Sequence, residues 1–326
     1  MTVTIKDIAV AAGVSYSTVS KALNNSPLVK PDTKSKIIRI ADEMGYEPNF
    51  AAQRLVKKHS NLIGLALPTI DRMAHSVLAT KINEEITKNK YSMILSIDPI
   101  QTSLDIFRRY QVDGVIIFNE SNQDLQSISS TLPIVSYGVH NRADFPIVDV
   151  NYQKAIFTAV SHLYELDHRD ILFIGELTSK DERQREKYHG FIKAMENFHL
   201  STENLTLNTD GLNWYDGYIA AKELLQTDQL PTAIIGASYE VSAGVMRAIR
   251  EAGLRIPEDI SLVSYDNIPQ MENTEIPLTS VGVPVDAMAK HIVHTIIQLV
   301  QAKEHTETSH TLDPILTVRK SCGVRK

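Results

Sequence analysis

The chain of 326 residues holds a single cysteine, Cys322. One cysteine excludes an internal disulfide and suits a reducing cytoplasm. No apolar run approaches the ~20 residues that a membrane span needs, so a membrane protein is not expected. The N-terminus carries Lys6 and Asp7 early and has no apolar core region, which argues against a secretory signal. Sequence signatures of catalysis are missing too: there is no G-x-S-x-G, no phosphate loop, no G-x-G-x-x-G and no H-E-x-x-H. Cys322 lies in the tail with no evident base, which makes it a bystander rather than a nucleophile. No cofactor, no metal and no enzymatic activity are therefore expected. No heptad pattern follows Val318 to Cys322, so a C-terminal coiled coil is not expected either.

What is present is ordinary in bulk, with 43% hydrophobic and 22% charged residues, and suits two or three soluble domains. The charge is unevenly spread. Residues 1–58 hold nine Lys/Arg against five Asp/Glu, a net of +4, which leaves −10 for the rest of a chain whose total is −6. A basic head on an acidic body suits phosphate contact by the head alone.

The head has a recognisable pattern. Ile5, Ile8, Ala9 and Ala12 recur at helical spacing behind Thr4, a suitable N-cap. Gly13 supplies a turn. Ser15 caps a second helix in which Val19, Ala22 and Leu23 face one way while Tyr16, Ser17, Ser20, Lys21 and Asn24 face the other. Two short helices joined by a glycine turn read as a helix-turn-helix. Tyr16 and Ser17 sit in the first turn, where a recognition helix meets base edges, and Lys21 reaches a guanine edge or a phosphate. Ser20 and Asn24 are short donors suited to phosphates. Taken alone, the polar face reads first as that of a solvated helical pair. A third helix is expected over about 31–44, opened by Pro31 and ended by Gly45, with Ile37, Ala41 and Met44 facing the core.

From Asn61 the pattern changes to alternating strands and helices with continuous apolar strands, such as Leu62 to Leu67, Gly114 to Phe118 and Ile171 to Gly175. A second series starts near Tyr152. Such patterns imply parallel sheets covered on both faces.

The motifs Thr4-Ile5-Lys6-Asp7-Ile8-Ala9, Gly13-Val14-Ser15, Thr18-Val19-Ser20, Leu23-Asn24 and Gly45-Tyr46-Glu47-Pro48-Asn49 resemble the N-terminal domain of the lactose/galactose repressor family of bacterial transcription regulators. The resemblance continues through Gly190-Phe191, Pro231-Thr232-Ala233, Gly253 to Ser261 and Pro277 to Val281. It implies an all-α helix-turn-helix head (1–47), a hinge helix and linker (48–60), and an α/β two-lobed core of the periplasmic-binding-protein type (61–326) with two doubly wound parallel sheets. The N-lobe would take about 61–151 and 282–311, the C-lobe about 152–281 and 312–326.

The function implied is a cytoplasmic, homodimeric repressor on a near-palindromic double-stranded DNA operator, its affinity modulated by a small-molecule effector, a sugar or sugar derivative. The implied DNA contacts are Thr4, Ser15, Tyr16, Ser17, Ser20, Lys21, Asn24, Asn49, Ala52 and Leu55, with Leu55 wedging into the minor groove. Effector candidates are Asp71, His75, Arg185, Lys187, Trp214, Ser238 and Asp266. Asp266 matches an acidic position that accepts ligand hydroxyls, and Lys187 takes the place of a cationic contact. For Lys187, Arg185 and the nearby Arg183 the alternative is a solvated helix start.

The chain also departs from the family. Thr69-Ile70-Asp71-Arg72-Met73-Ala74-His75 stands where the family loop reads Asp-x-x-Asn-Pro-Phe-Phe, and Ser238-Tyr239 replaces Asn-Asp. Lys30 stands where the family has a Ser cap, and Asp167 where it has Gly. Trp214, the sole tryptophan, suits either a pyranose face or the lobe surface. His162 and His168 share no helix face and read as structural. The rival readings are a family member controlled by a protein partner, a free solute-binding protein and, with least support, an enzyme.

Overall fold

The computed structural model describes residues 3–46, 59–119, 132–138, 145–178, 181–201, 203, 205–301 and 310–325. Two compact units result, Met1–Ser60 and Asn61–Lys326.

In the first unit, α1 (Ile5–Ala12), α2 (Tyr16–Leu23) and α3 (Pro31–Glu43) enclose a small core of Ile8, Ala12, Val19, Ala22, Val29, Ile37 and Ala41. Each α1–α2 boundary has a local cause. Asp7 reaches back to accept both the backbone N–H and the hydroxyl of Thr4 at 2.8 and 2.7 Å, the reciprocal arrangement of an N-terminal cap. Gly13 takes φ +69°, a conformation that a Cβ would strain. Ser15 Oγ accepts the Thr18 N–H at 3.2 Å. Lys30 gives α3 no side-chain cap, and Pro31 opens the helix in its place. Ile8 and Ile37 are fully buried, each worth about 1.5–3 kcal/mol of transfer free energy.

The second unit holds two six-stranded sheets. The first runs β11-β5-β4-β3-β1-β2, formed by β1 (Leu62–Ala66), β2 (Ser92–Ser96), β3 (Gly114–Asn119), β4 (Ile134–Gly138), β5 (Ile147–Val150) and β11 (His310–Leu312). Every pairing in it is parallel. Its helices include α4 (Met73–Lys88), α5 (Ile100–Arg109) and α10 (Val285–Gln301).

The second sheet runs β12-β10-β9-β8-β6-β7, formed by β6 (Ile171–Gly175), β7 (Thr206–Asn208), β8 (Ala233–Gly236), β9 (Ser261–Tyr265), β10 (Thr279–Gly282) and β12 (Ile315–Thr317). It is parallel except that β12 pairs antiparallel with β10. The helices α6 (Tyr152–Glu165), α7 (Glu182–Asn197), α8 (Trp214–Leu224) and α9 (Tyr239–Glu251) belong to this lobe. Between β5 and α6, between β10 and α10, and between β11 and β12 the chain passes from one lobe to the other.

The inner strands are buried end to end, as in Ile171–Gly175, Ala233–Gly236 and Ser261–Tyr265, which is why they read as unbroken apolar runs. α8 and α9 meet backbone to backbone: a Cβ on Gly244 would collide with the Trp214 carbonyl, and one on Gly217 with Val241. Asp167 adopts φ +65°, as its place at the end of α6 requires. His168 is a buried structural residue, its Nδ1 3.0 Å from Thr232 Oγ1 and its Nε2 3.0 Å from the Gly323 carbonyl. The Cys322 thiol is pushed by burial up to about 11 and lies 3.4 Å from the Leu262 carbonyl. That makes it a poor nucleophile.

Candidate nucleic-acid interface and ligand cleft

On the first unit, α2 turns Val19 and Ala22 into the three-helix core, and this fixes what faces out. Tyr16 is 54% exposed, and Ser17, Lys21 and Asn24 are exposed beside it while Ser20 is half-buried. Thr4 and Ser15 are exposed at the caps of the two helices, with Ser15 Oγ also 2.9 Å from Ser17 Oγ. Asn24 donates its side-chain amide to the Ser20 carbonyl at 2.8 Å. The remaining DNA candidates, Asn49, Ala52 and Leu55, lie outside the described residues.

On the second unit, a cavity of about 60 Å³ lies between the lobes. Its walls come from the carboxyl ends of strands in both sheets: Phe118 of β3 and Tyr137 of β4 on one side, Tyr265 at the end of β9, Asp266 just after it and Gly282 at the end of β10 on the other. Open α/β sheets place ligands at these ends. The volume holds a few water molecules and falls well short of the roughly 300–1,000 Å³ of a drug-sized site.

Among the described residues, three cations line it. Lys187 is 3% exposed, donates to the Ala237 carbonyl at 2.9 Å and stands 3.6 Å over the Tyr265 ring. Burial depresses its pKa to about 7 against the opposing pull of Asp266. Arg183, for which a solvated helix start was the alternative, is 5% exposed. It pairs with Asp181 through Nη2 at 2.7 Å and Nε at 2.9 Å, and its guanidinium lies 4.5 Å from the Phe118 ring of the other lobe. Burial raises the Asp181 carboxyl, but Arg183 overrides it and holds the group below the usual range. Arg72, from the N-lobe, is the third.

His75 is buried against Phe118, ring to ring at 4.6 Å. Burial and then the charges of Arg72 and Arg183 lower it to about 3. The ring is therefore neutral and donates from Nδ1 to the Thr69 carbonyl at 3.2 Å. Tyr137 continues the aromatic row at 4.9 Å from Phe118, its phenol raised by burial to about 12.

Asp266 holds φ +88°, uncommon for a residue with a Cβ. Its Oδ2 accepts the Tyr239 N–H at 3.0 Å, so the carboxylate sits at the positive end of α9.

The structure brings together His75, Lys187 and Asp266 of the sequence candidates. Ser238 is buried behind them as the cap of α9, accepting the Val241 N–H at 3.3 Å. Asp71 is exposed, its N–H on Thr69 Oγ1 at 3.0 Å. Arg185 pairs at 3.0 Å with Glu182 on the helix surface. Trp214 is 43% exposed and stacks on Tyr218 at 5.3 Å. Asp71, Arg185 and Trp214 do not line the cavity. Sequence reasoning missed Arg72, Tyr137, Tyr152, Gln184 and Asn267. Asn267 and Arg72 sit beside positions already singled out, whereas the two tyrosines reach the cavity only through the strand order.

Comparison with known proteins agrees with this geometry. Residues 4–49 match the bacterial regulatory proteins of the lacI family, and residues 160–322 match the periplasmic binding protein-like domain. Catabolite control protein A of Priestia megaterium is 30% identical over 294 residues, covering 87% of this chain and 89% of that protein. The HTH-type transcriptional repressor PurR of Pasteurella multocida is 28% identical and covers 99% of each chain. A structure of the lac repressor dimer bound to operator and the anti-inducer ONPF superposes with a TM-score of 0.87 at 26% identity, covering 98% of this chain and 99% of that one. A helix-turn-helix with an outward polar face, joined in one chain to a two-lobed core, places this protein in the LacI/GalR family of transcription regulators.

Proposed function

We propose that the chain is a cytoplasmic, homodimeric repressor that reads a near-palindromic operator through α2 and answers to a carbohydrate or carbohydrate derivative in the cleft. The observation that carries the DNA half is the outward row of Tyr16, Ser17 and Lys21 on a helix whose other face is locked into the core. Major-groove readers present such side chains from the first turns of the second helix. The proposal assigns Ser20 and Asn24 to phosphates, Thr4 and Ser15 to the backbone near the helix ends, and Asn49, Ala52 and Leu55 to a hinge in the minor groove. As a member of a family of transcription regulators, the protein is not an enzyme.

The effector half rests on Asp266 and Lys187, a carboxylate and an amine facing one cavity from the same lobe. A carboxylate accepts two hydroxyls of a sugar diol, and the cation-bearing wall suits an oxygen-rich ligand. Ligand binding that favours one lobe arrangement shifts operator affinity, and the operator shifts ligand affinity by the same factor. A melting-temperature screen against sugars and sugar phosphates tests this. A true effector raises the wild-type melting point by mass action, and Asp266→Ala removes the rise while leaving operator binding intact.

One observation favours a second reading, control by a protein partner. The cavity of about 60 Å³ is too small for a pyranose as it stands. A screen in which no sugar shifts the melting point, together with intact operator binding, moves that reading to first place.

A further inference from the structure

Glu240 reaches across the cleft. It lies in the first turn of α9 in the C-lobe, yet its Oε1 accepts the N–H of Met73 at 2.6 Å. Met73 is the first residue of α4 in the N-lobe. The first N–H groups of a helix have no partner within it, and Arg72, at the N-cap, supplies no side-chain cap. The carboxylate of the opposite lobe thus fills the place of the missing cap, at the positive end of the helix dipole. Arg72 stands beside it, its Nε 3.9 Å from Glu240 Oε2, and both side chains are only 13% exposed. Among the described residues, neither Arg72 Nε nor Glu240 Oε2 has a hydrogen-bond partner.

We propose that Glu240 is a positioning residue of the effector switch, an intramolecular clasp that docks on Arg72 and Met73 of the other lobe and holds the cleft shut until an effector displaces it. Three observations converge on it. The contact joins residues 167 positions apart, on helices whose own packing belongs to different sheets. A second cross-lobe contact, Arg183 over Phe118, closes the same cleft from deeper in. The cavity left between them holds only about 60 Å³, so a bulkier ligand enters by moving one lobe from the other.

The clasp is also made to release. Burial, and then the nearby Asp266, raise the Glu240 carboxyl, while Arg72 and the backbone N–H groups only partly offset this. A carboxylate held above its ordinary pKa is destabilised where it sits. The orphaned Arg72 Nε and Glu240 Oε2 add to that load. Both features work against the shut arrangement.

The bearing of the clasp on operator affinity rests on the reading of the chain as an effector-coupled repressor; the clasp itself does not. The test is residue-resolved amide hydrogen exchange at Met73 in the full-length, ligand-free protein, run beside operator titration. Wild type should protect the Met73 amide, and Glu240→Ala should speed its exchange by about tenfold or more. Glu240→Gln, which keeps an acceptor, should fall between. Amides in the α4 interior should not change, which separates loss of the clasp from general unfolding. Operator affinity should differ between wild type and Glu240→Ala, since their lobe equilibria differ. Equal Met73 exchange in wild type and Glu240→Ala would overturn the clasp whatever the operator data say. Protected exchange lost in Glu240→Ala, with no operator bound by wild type, would support the clasp and reject the repressor reading.

Discussion

Lys187 holds its ammonium nitrogen 3.6 Å from the centre of the Tyr265 ring, at the end of β9. One residue further, Asp266 turns its carboxylate onto the N-terminus of α9. A buried cation, an aromatic face and a carboxylate thus meet at the mouth of one strand. Burial still wins over the pull of Asp266 and lowers Lys187 to about 7.

That balance predicts a pH dependence of stability. Between about 7 and the ordinary 10.5 of a lysine, the unfolded chain binds more protons at this position than the folded one. Stability from Lys187 therefore rises as pH climbs through that window, by an amount on the order of a few kcal/mol. Lys187→Met should be neutral or stabilising at pH 7 and should lose this part of the slope. Urea unfolding of both proteins at pH 7, 8 and 9 checks it; parallel stability curves would contradict it.

Gly244→Ala should destabilise the core by about 1–3 kcal/mol through overpacking, because its Cβ meets the backbone of α8 at Trp214 and Tyr218 rather than a flexible side chain. Thermal unfolding measures it. A melting point equal to wild type would mean that α8 and α9 separate freely.

On the head, Tyr16→Ala or Lys21→Ala should cost about 1–3 kcal/mol at the specific operator, whereas Asn24→Ala, assigned to a phosphate, should weaken specific and random duplexes alike. Fluorescence anisotropy on both duplexes separates the two outcomes, and an Asn24 variant that relaxed selectivity would reverse the assignment.

Much of this was legible in the chain because its causes are local. Thr4 with Asp7, Gly13, Ser15 and Pro31 each mark a helix boundary within a few residues of where it falls. The inner strands announce themselves as buried runs. What stayed hidden is non-local. At the start of α4, the first N–H, of Met73, is satisfied by Glu240 from the far lobe. Arg183 suits a solvated helix start as a sequence, but Asp181 and Phe118 enclose it. Short β5 and the crossing strands β11 and β12 owe their existence to pairing partners across the sheet. Trp214 shows the reverse limit: its chemistry suits a sugar face or the lobe surface, and in the structure it stacks on Tyr218 outside the cavity lining.

Leu55, proposed as the minor-groove wedge, gives a prediction of its own. Leu55→Ala should leave the reading helices intact while lowering operator affinity and straightening the DNA. A gel-based bend assay decides, and equal bending by both proteins would reduce the segment to a linker.

The central claim, that α2 reads a specific operator, is tested most directly by selecting duplexes from a random pool with the purified protein and measuring the enriched sequence by anisotropy at physiological salt. The account predicts one inverted repeat, bound about 10³-fold or more tighter than a scrambled duplex, with that preference abolished in the Tyr16, Ser17, Lys21 triple-alanine variant. A pool that yields no common sequence, or a triple variant that discriminates as wild type does, would contradict it.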